Sequence, residues 1–369
     1  MGNRQTALDN NVNSLPEFYL GKKILVTGHT GFKGGWLTIW LKLMDAEVIG
    51  FGLPPETQPN LFSAAEVADG IVSMFGDVRD LASVRKAFLQ QNPDIVIHNA
   101  AQALVRRSYR EPVETYATNV MGTVHVLEAA RTTPSVRSVV VVTSDKCYEN
   151  REWARGYKEI DAMGGHDPYS SSKGAAELVT AAYRRSFCSG DGSAAIASAR
   201  AGNVIGGGDW SEDRLIPDMV RGISSNTPIV IRCPEAVRPW QHVLEPLSGY
   251  LLLAQKLYQD GGPYADAWNF GPCVDDSISV VDMADRVRTI WGKGELRIQP
   301  DPNAPHEATH LRLNCAKSSQ YLGWRQRLHL AQTLEWTVDW YRAFYEGSSL
   351  SPRAMTEHQI RAYMQASAP

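Results

Sequence analysis

Six short runs rich in β-branched and other apolar residues, at 23–27, 47–51, 71–75, 95–98, 138–143 and 194–200, alternate with amphipathic stretches long enough to be helices. The runs are nearly continuous in apolar residues, as strands covered on both faces are. Parallel strands need long crossovers, and right-handed crossovers lay their helices over the sheet, so this alternation fits a parallel sheet with helices on both sides. The expected fold class is therefore α/β, a Rossmann-type doubly wound parallel sheet, with a smaller mixed α/β region towards the C-terminus. Stretches 112–131 and 168–187 read as long helices, each opened by a proline at its first turn.

After Gly202 the alternation gives way to Gly206-Gly207-Gly208, proline-punctuated loops and short elements. The expected division is a polar N-terminal tail at 1–18, a dinucleotide-binding domain at 19–204 with a return near 239–268, a second region at 205–238 and 269–346, and a C-terminal tail at 347–369. Within these, 245–259, 279–291 and 330–345 read as helices. Trp336, Trp340 and Tyr341 fall close together on the last of them and are expected in the core. A chain of 369 residues with 43% hydrophobic content suits one large domain or two.

Charge and cysteine content exclude several classes. The formal net charge is −3 and Lys and Arg are dispersed, so the basic footprint of a nucleic-acid binder is missing. No apolar stretch approaches the roughly 18 residues of a membrane span. Residues 1–16 lack the apolar core of a signal peptide. Five widely spaced cysteines, Cys147, Cys188, Cys233, Cys273 and Cys315, show no metal-type spacing, so reduced thiols and a cytoplasmic location are expected, with no metal, membrane or nucleic-acid partner.

The loop Gly28-His29-Thr30-Gly31-Phe32-Lys33-Gly34 follows the first strand directly and opens a helix through Trp36, Trp40 and Leu41. Its glycines permit a tight turn and close approach of backbone to a pyrophosphate, and the helix N-terminus offers N–H groups and positive partial charge. His29 and Lys33 would either reach the phosphates or lie exposed. The acidic residue expected about 20 residues on to bind a ribose is replaced by Gly50-Phe51-Gly52-Leu53, so the choice between NAD and NADP stays open at this position. Asp77-Val78 after the third strand is a candidate adenine contact, and the small residues Ala100 and Ala101 after the fourth would let a cofactor lie on the strand end.

Tyr169 and Lys173 stand four residues apart on the 168–187 helix, which puts the hydroxyl and the ammonium on one face. A phenol with a pKa of about 10 is a poor base at neutral pH, and a neighbouring cation lowers that value. The pair is therefore a candidate for oxidising a substrate hydroxyl. Upstream, Thr143-Ser144-Asp145-Lys146 ends the fifth strand with a hydroxyl, a carboxyl and an amine in succession.

Across about 21–340 the chain resembles the extended short-chain dehydrogenase/reductases, and among them the nucleotide-sugar 4,6-dehydratases. The segments that carry the likeness are the glycine loop, His98-Asn99-Ala100-Ala101-Gln102, Asn119-Val120-Met121-Gly122-Thr123, Thr143 to Asn150, Tyr169-Ser170-Ser171-Ser172-Lys173 and Arg200 to Gly206. The resemblance implies a tightly held NAD, with Gln102, Asn119 and Thr143 added to the cofactor site and Lys173 on the nicotinamide ribose. It implies removal of water from a hexose in three stages: oxidation at C4, elimination across C5 and C6, and return of the hydride to C6. Tyr169 would take the C4 hydroxyl proton, Ser144 would bond that oxygen, and Asp145 would protonate the departing C6 hydroxyl.

Lys146 stands where relatives acting on dTDP-glucose carry a Glu, which matches the branch acting on CDP-glucose. It would be either the base at C5, which requires the neutral amine, or a cation that stabilises the enolate. For the nucleotide diphosphate the candidates are Asn203, Arg232 and Arg238, with a surface role open for Arg232. Asn269 matches a substrate-side Asn, and the base would lie around Arg214 and Leu215 and near 229–231. The helices at 112–131 and 168–187 form the dimer interface in this family, so a homodimer or a dimer of dimers is expected. The rival readings are a 4-epimerase on the same scaffold, which needs no acid and base beside Ser144, and a non-catalytic NAD-binding sensor.

Overall fold

The computed structural model describes residues 12–366 apart from 189, 191, 274–275 and 301–310. Seven parallel strands form the main sheet: β1 (Lys23–Thr27), β2 (Glu47–Gly52), β3 (Val72–Phe75), β4 (Ile95–His98), β5 (Ser138–Val142), β6 (Ala195–Ala201) and β10 (Ala267–Phe270). Their order is β10-β6-β5-β4-β1-β2-β3, the doubly wound arrangement, in which the strand order reverses beside β1. Leu25 is flanked in register by Ile49 and Val96, and Val26 by Gly50 and Ile97.

Alternate residues along each strand serve opposite faces. Ile24, Val26, Ile95, Ile97 and Val140 pack under the Phe32–Leu43 and Leu244–Asp260 helices, with Trp36 and Trp40 fully buried. Leu25, Val96, Val139, Val141 and Ile196 pack on the other face, under Leu81–Gln91, Gly122–Arg131 and Pro168–Phe187. Burying a tryptophan removes roughly 200 Å² from water, about 5 kcal/mol each before ordering entropy is deducted. Trp36 and Trp40 therefore fix the helix whose first turn carries the glycine loop.

The second region is built from short pieces. β7 (Asn203–Ile205), β9 (Val237–His242) and β11 (Ser277–Ser279) form a mixed three-stranded sheet, and β8 (Ile229–Ile231) pairs with β12 (Leu296–Ile298). The chain crosses back to the main sheet through the Leu244–Asp260 helix and β10.

Three expectations are corrected. The 112–131 helix is interrupted: Ala117–Met121 forms a π-helical turn between Pro112–Tyr116 and Gly122–Arg131. Such wide turns often mark functional segments, and this one contains Asn119, whose amide bonds both backbone groups of Gln102. The C-terminal stretch is not a tail. Pro352–Gln365 is a helix capped by Ser351, with Ile360 and Tyr363 fully buried, Tyr363 edge-on to Trp40 at 5.5 Å and bonded to Glu245 at 2.9 Å. Its apolar residues are too sparse to stand out until the Leu330–Glu346 helix is in place beside it.

At the other end, the expected polar tail holds a short helix, Leu15–Tyr19, whose Tyr19 is buried and donates to the Leu251 carbonyl at 2.8 Å; residues 1–11 lie outside the described part. Trp340 and Tyr341 are core residues as expected, and Trp336 is partly buried against them.

Candidate active site

A single cavity of about 1110 Å³ runs from the glycine loop, over the C-terminal ends of the parallel strands, to Arg232 and Arg238 in the second region. Gly28 has φ +74, and a Cβ there would sit 2.8 Å from the Cα of Ala100. A Cβ on Gly34 would lie 2.0 Å from the Gly28 carbonyl oxygen. Only glycines allow β1, β4 and the Phe32–Leu43 helix to converge this closely, leaving the backbone of Gly28, Thr30 and Gly31 on the cavity wall at a helix N-terminus. Such a cradle fits a dinucleotide pyrophosphate. Asp77, Val78, Ala100, Ala101 and the Gln102 backbone continue the wall, with the Asp77 carboxyl held below its ordinary range by Arg79.

Three candidates in this half sit differently from expectation. His29 is neither exposed nor directed at the cavity: it is fully buried, bonds Ser73 at 2.8 Å and lies so close to Gly50 that a Cβ on Gly50 would be 2.2 Å from its ring. Burial pushes its pKa down to about 4, so the ring is neutral. This contact also accounts for the glycines at the end of β2, since Gly52 abuts Gly28 and Gly50 abuts His29. Lys33 turns inward, 3.3 Å from the Tyr250 hydroxyl, where burial and the charges of Lys173 and Arg214 push it down to about 7. Asn119 is buried behind the wall; it holds Gln102 and, at 2.8 Å, the Ser172 hydroxyl.

The reactive groups meet at the floor. Ser144 caps the Asp145–Cys147 turn, accepting from the Lys146 N–H at 3.3 Å and donating to the Asp145 carboxylate at 3.0 Å. Asp145 lies against Gly202, where a Cβ would be 2.8 Å from its Oδ2. Burial pushes the Asp145 carboxyl up, against the opposing charges of Lys146 and Arg238 and the bond from Ser144. A carboxyl raised in this way is biased towards the protonated form that a general acid needs. Asp167 and Pro168 open the helix that brings in Tyr169 and Lys173, the Asp167 side chain capping Ser170 N–H at 2.9 Å.

Tyr169 lines the same cavity beside Ser144. Its phenol is pushed up to about 12 by burial, with Ser144 and Arg214 acting in the opposite direction. Lys173 donates to the Val142 carbonyl at 3.3 Å instead of to Tyr169, and burial pushes it down to about 8. The lowered phenol expected from the four-residue spacing is thus not a property of the two side chains alone. A phenolate here requires further positive charge beside it.

Asn203, Arg214, Leu215, Arg232 and Arg238 all border the far half of the cavity. Arg214 bonds Asp209 at 3.3 Å, and Arg232 bridges Asp213 at 3.0 Å and Asp218 at 3.3 Å. Asn269 is the exception. It is fully buried behind the loop that follows the Ser144–Lys146 turn, bonded to the Tyr148 hydroxyl at 2.8 Å and the Tyr157 carbonyl at 2.9 Å, and does not border the cavity.

Sequence reading overlooked Glu177, although it lies one further helical turn beyond Lys173; Arg106, and Trp240 two residues beyond Arg238, also line the cavity. Thr143 borders the cavity with its hydroxyl turned to Glu177.

The family model described as GDP-mannose 4,6 dehydratase matches residues 25–337. A CDP-glucose 4,6-dehydratase of Salmonella typhimurium is 48% identical over 353 residues, covering 95% of this chain and 98% of that protein. A dTDP-glucose 4,6-dehydratase of Shigella flexneri is 23% identical over 87% of this chain and 93% of its own length. Among solved structures, UDP-glucose 4-epimerase of Thermus thermophilus in complex with NAD superposes with a TM-score of 0.74 at 24% identity, covering 87% of this chain and 99% of that one. The dTDP-glucose 4,6-dehydratase of Bacillus anthracis in complex with NAD gives 0.73 at 22%, covering 88% and 98%; at these identities the likeness is one of fold. With the glycine cradle, the Ser144-Asp145 turn and the Tyr169-Lys173 helix in one cavity and a matched span of nearly the whole chain, the protein belongs to the GDP-mannose 4,6 dehydratase family of nucleotide-sugar dehydratases.

Proposed function

We infer that this chain is a CDP-glucose 4,6-dehydratase, a hydro-lyase that converts CDP-D-glucose to CDP-4-dehydro-6-deoxy-D-glucose and water. The observation that carries the reading is Asp145: a buried carboxyl biased towards its protonated form, bonded to the serine beside Tyr169. A 4-epimerase has no step that needs such an acid. The close relative in Salmonella, with its printed activity on CDP-glucose, supports the choice of nucleotide.

The glycine cradle supports NAD as the cofactor, and bound NAD supplies the hydride acceptor for C4 and the hydride donor for C6. Gly28, Thr30 and Gly31 would hold its pyrophosphate, with Asp77 and Val78 towards the adenine. Tyr169 would take the C4 hydroxyl proton as the phenolate, the positive charge of bound NAD adding to that of Lys173 to favour the ionised form, while Ser144 bonds the same oxygen. The ketone at C4 acidifies the C5 proton. Lys146 acts at C5, either accepting that proton or stabilising the enolate, and Asp145 gives its proton to the departing C6 hydroxyl. Arg238 and Arg232 hold the diphosphate by charge-assisted bonds, with Asn203 beside them and Arg214 and Leu215 towards the base.

The assembly belongs to the same proposal. Val113, Leu178 and Phe187 are 81%, 62% and 51% exposed on the two helices expected at a dimer interface, which supports a homodimer formed there. A cytoplasmic site of action is supported by five free cysteines. Incubation with CDP-, dTDP-, UDP- and GDP-sugars, read by the alkali-induced chromophore of a 4-keto product, tests the function. A signal from CDP-glucose is expected, and its absence would remove the substrate assignment.

A further inference from the structure

Tyr169, Lys173 and Glu177 recur at four-residue intervals along the Pro168–Phe187 helix and so lie on one face. All three are buried, at 8%, 6% and 5% exposure. Glu177 does not reach the cavity. Its carboxylate accepts from the Thr143 hydroxyl, from Ser198 at 2.6 Å and from Arg200 at 2.8 Å, the last a fully enclosed ion pair. The other arm of Arg200 donates to the Tyr148 hydroxyl at 2.6 Å and to the Glu159 carbonyl at 3.2 Å, with its guanidinium over the Tyr148 ring. Thr143 precedes the Ser144–Lys146 turn and Tyr148 follows it. One buried pair therefore grips both ends of the catalytic turn and the helix that carries Tyr169 and Lys173.

We propose that Glu177, locked by Arg200, is a positioning residue for C4 oxidation: its fixed negative charge keeps Lys173 an ammonium and its hydrogen bonds hold the Ser144–Lys146 turn against the helix. The proposal rests on the reading of Tyr169 and Lys173 as the oxidising pair. Buried ion pairs contribute little net stability against apolar replacements of similar size, so a stabilising role alone gives weak reason for this one. Burial by itself would push the Glu177 carboxyl up; Arg200, Ser198 and Thr143 outweigh it and hold it below its ordinary range.

The charge environment of Lys173 leaves this role to Glu177. Lys33 faces it from the glycine-loop helix and is cationic or neutral. His98 faces it from β4, pushed down to about 3 and neutral. Cys147 faces it from the catalytic turn, a thiol pushed well up by burial. Tyr169 on the same helix is an un-ionised phenol, and Val142 offers a carbonyl. Among these neighbours Glu177 is the one that is anionic at neutral pH, and it acts against the burial that lowers Lys173. Arg200 and Arg184 are the cations that act on Glu177.

The test is the pH profile of kcat for the purified holoenzyme on CDP-glucose. Glu177→Gln should lower kcat about tenfold or more near pH 8 with KM changed less than about threefold, and should move the alkaline limb about one pH unit towards acid. Glu177→Asp, which keeps the charge, should leave the limb near its original position. Glu177→Gln leaves Arg200 buried without its partner and can fail to fold, so the double variant Glu177→Gln/Arg200→Met carries the same test with both charges removed. An unmoved limb in whichever of these two folds, with loss of thermal stability alone, would show a purely structural pair. Tyr169→Phe separates the underlying reading: if it oxidises C4 at the original rate, the fault lies with the oxidising pair and not with Glu177.

Discussion

The two halves of the cavity are made in different ways. The half over the parallel sheet is assembled from strand ends and two long helices, with its groups fixed by backbone convergence, as at Gly28, Gly34 and Gly202, and by buried bonds such as Glu177 to Arg200. The half towards Arg232 and Arg238 is assembled from the short strands Ile229–Ile231 and Val237–His242, the first turn of the Leu215–Ser225 helix and loops, and two of its arginines are already paired with Asp209, Asp213 and Asp218. The first half can hold reacting atoms to a fraction of an ångström, as chemistry requires. The second can exchange its ion-pair partners for a diphosphate, as binding requires. Substitutions in the first should therefore act on kcat and those in the second on KM.

Tyr169→Phe should show the largest effect, a loss of roughly 10³ in kcat for C4 oxidation, measured as NADH formed in a single turnover. Lys146→Met should follow, at roughly 10² in overall turnover; C4 oxidation should persist while solvent deuterium no longer enters C5, and normal turnover would remove any direct role at that carbon. Arg238→Ala should leave kcat within about threefold and raise KM by roughly 10- to 100-fold, the loss of a charge-assisted bond. If it instead lowers kcat as much as Tyr169→Phe does, the division of labour between the halves fails.

The last effect is one of stability, away from both halves. Glu245 is pushed up by burial from 4.5 to about 7, against bonds from the Leu328 and Arg327 backbone and Tyr363. A carboxyl raised in the folded state contributes stability that is fully present below its unfolded pKa and is lost as pH rises through its folded pKa. Between about pH 4.5 and pH 7 this amounts to roughly 3 kcal/mol at about 1.4 kcal/mol per pH unit. Denaturant melts of Glu245→Gln should show a weaker fall in stability over that range than the parent protein.

The parallel sheet, the Pro168–Phe187 helix and the turn at Ser144-Asp145-Lys146 were legible because each is local: a periodic run, a proline at a first turn, a motif of adjacent residues. What escaped were features fixed by distant partners. His29 sits in a phosphate-loop motif, yet its ring is claimed by Gly50 and Ser73 from the neighbouring strands. Asn269 lies at the end of a sheet strand and was expected to face substrate, but Tyr148 and Tyr157 turn its amide inward. The 352–365 helix has little amphipathic signal of its own and is stabilised by burying Ile360 and Tyr363 against helices far away in sequence. Glu177 was within reach, one turn past Lys173, but its buried partner Arg200 lies on another strand.

The central claim is that Asp145 and Lys146 convert a hydroxyl oxidation into a dehydration. Incubating the enzyme with CDP-glucose in D₂O and following the sugar by NMR tests it most directly. The account predicts a 4-keto product with deuterium at C5 and a C6 methyl that has received the unlabelled hydride from C4. Recovery of a C4 epimer with its C6 hydroxyl intact and no deuterium at C5 would contradict it.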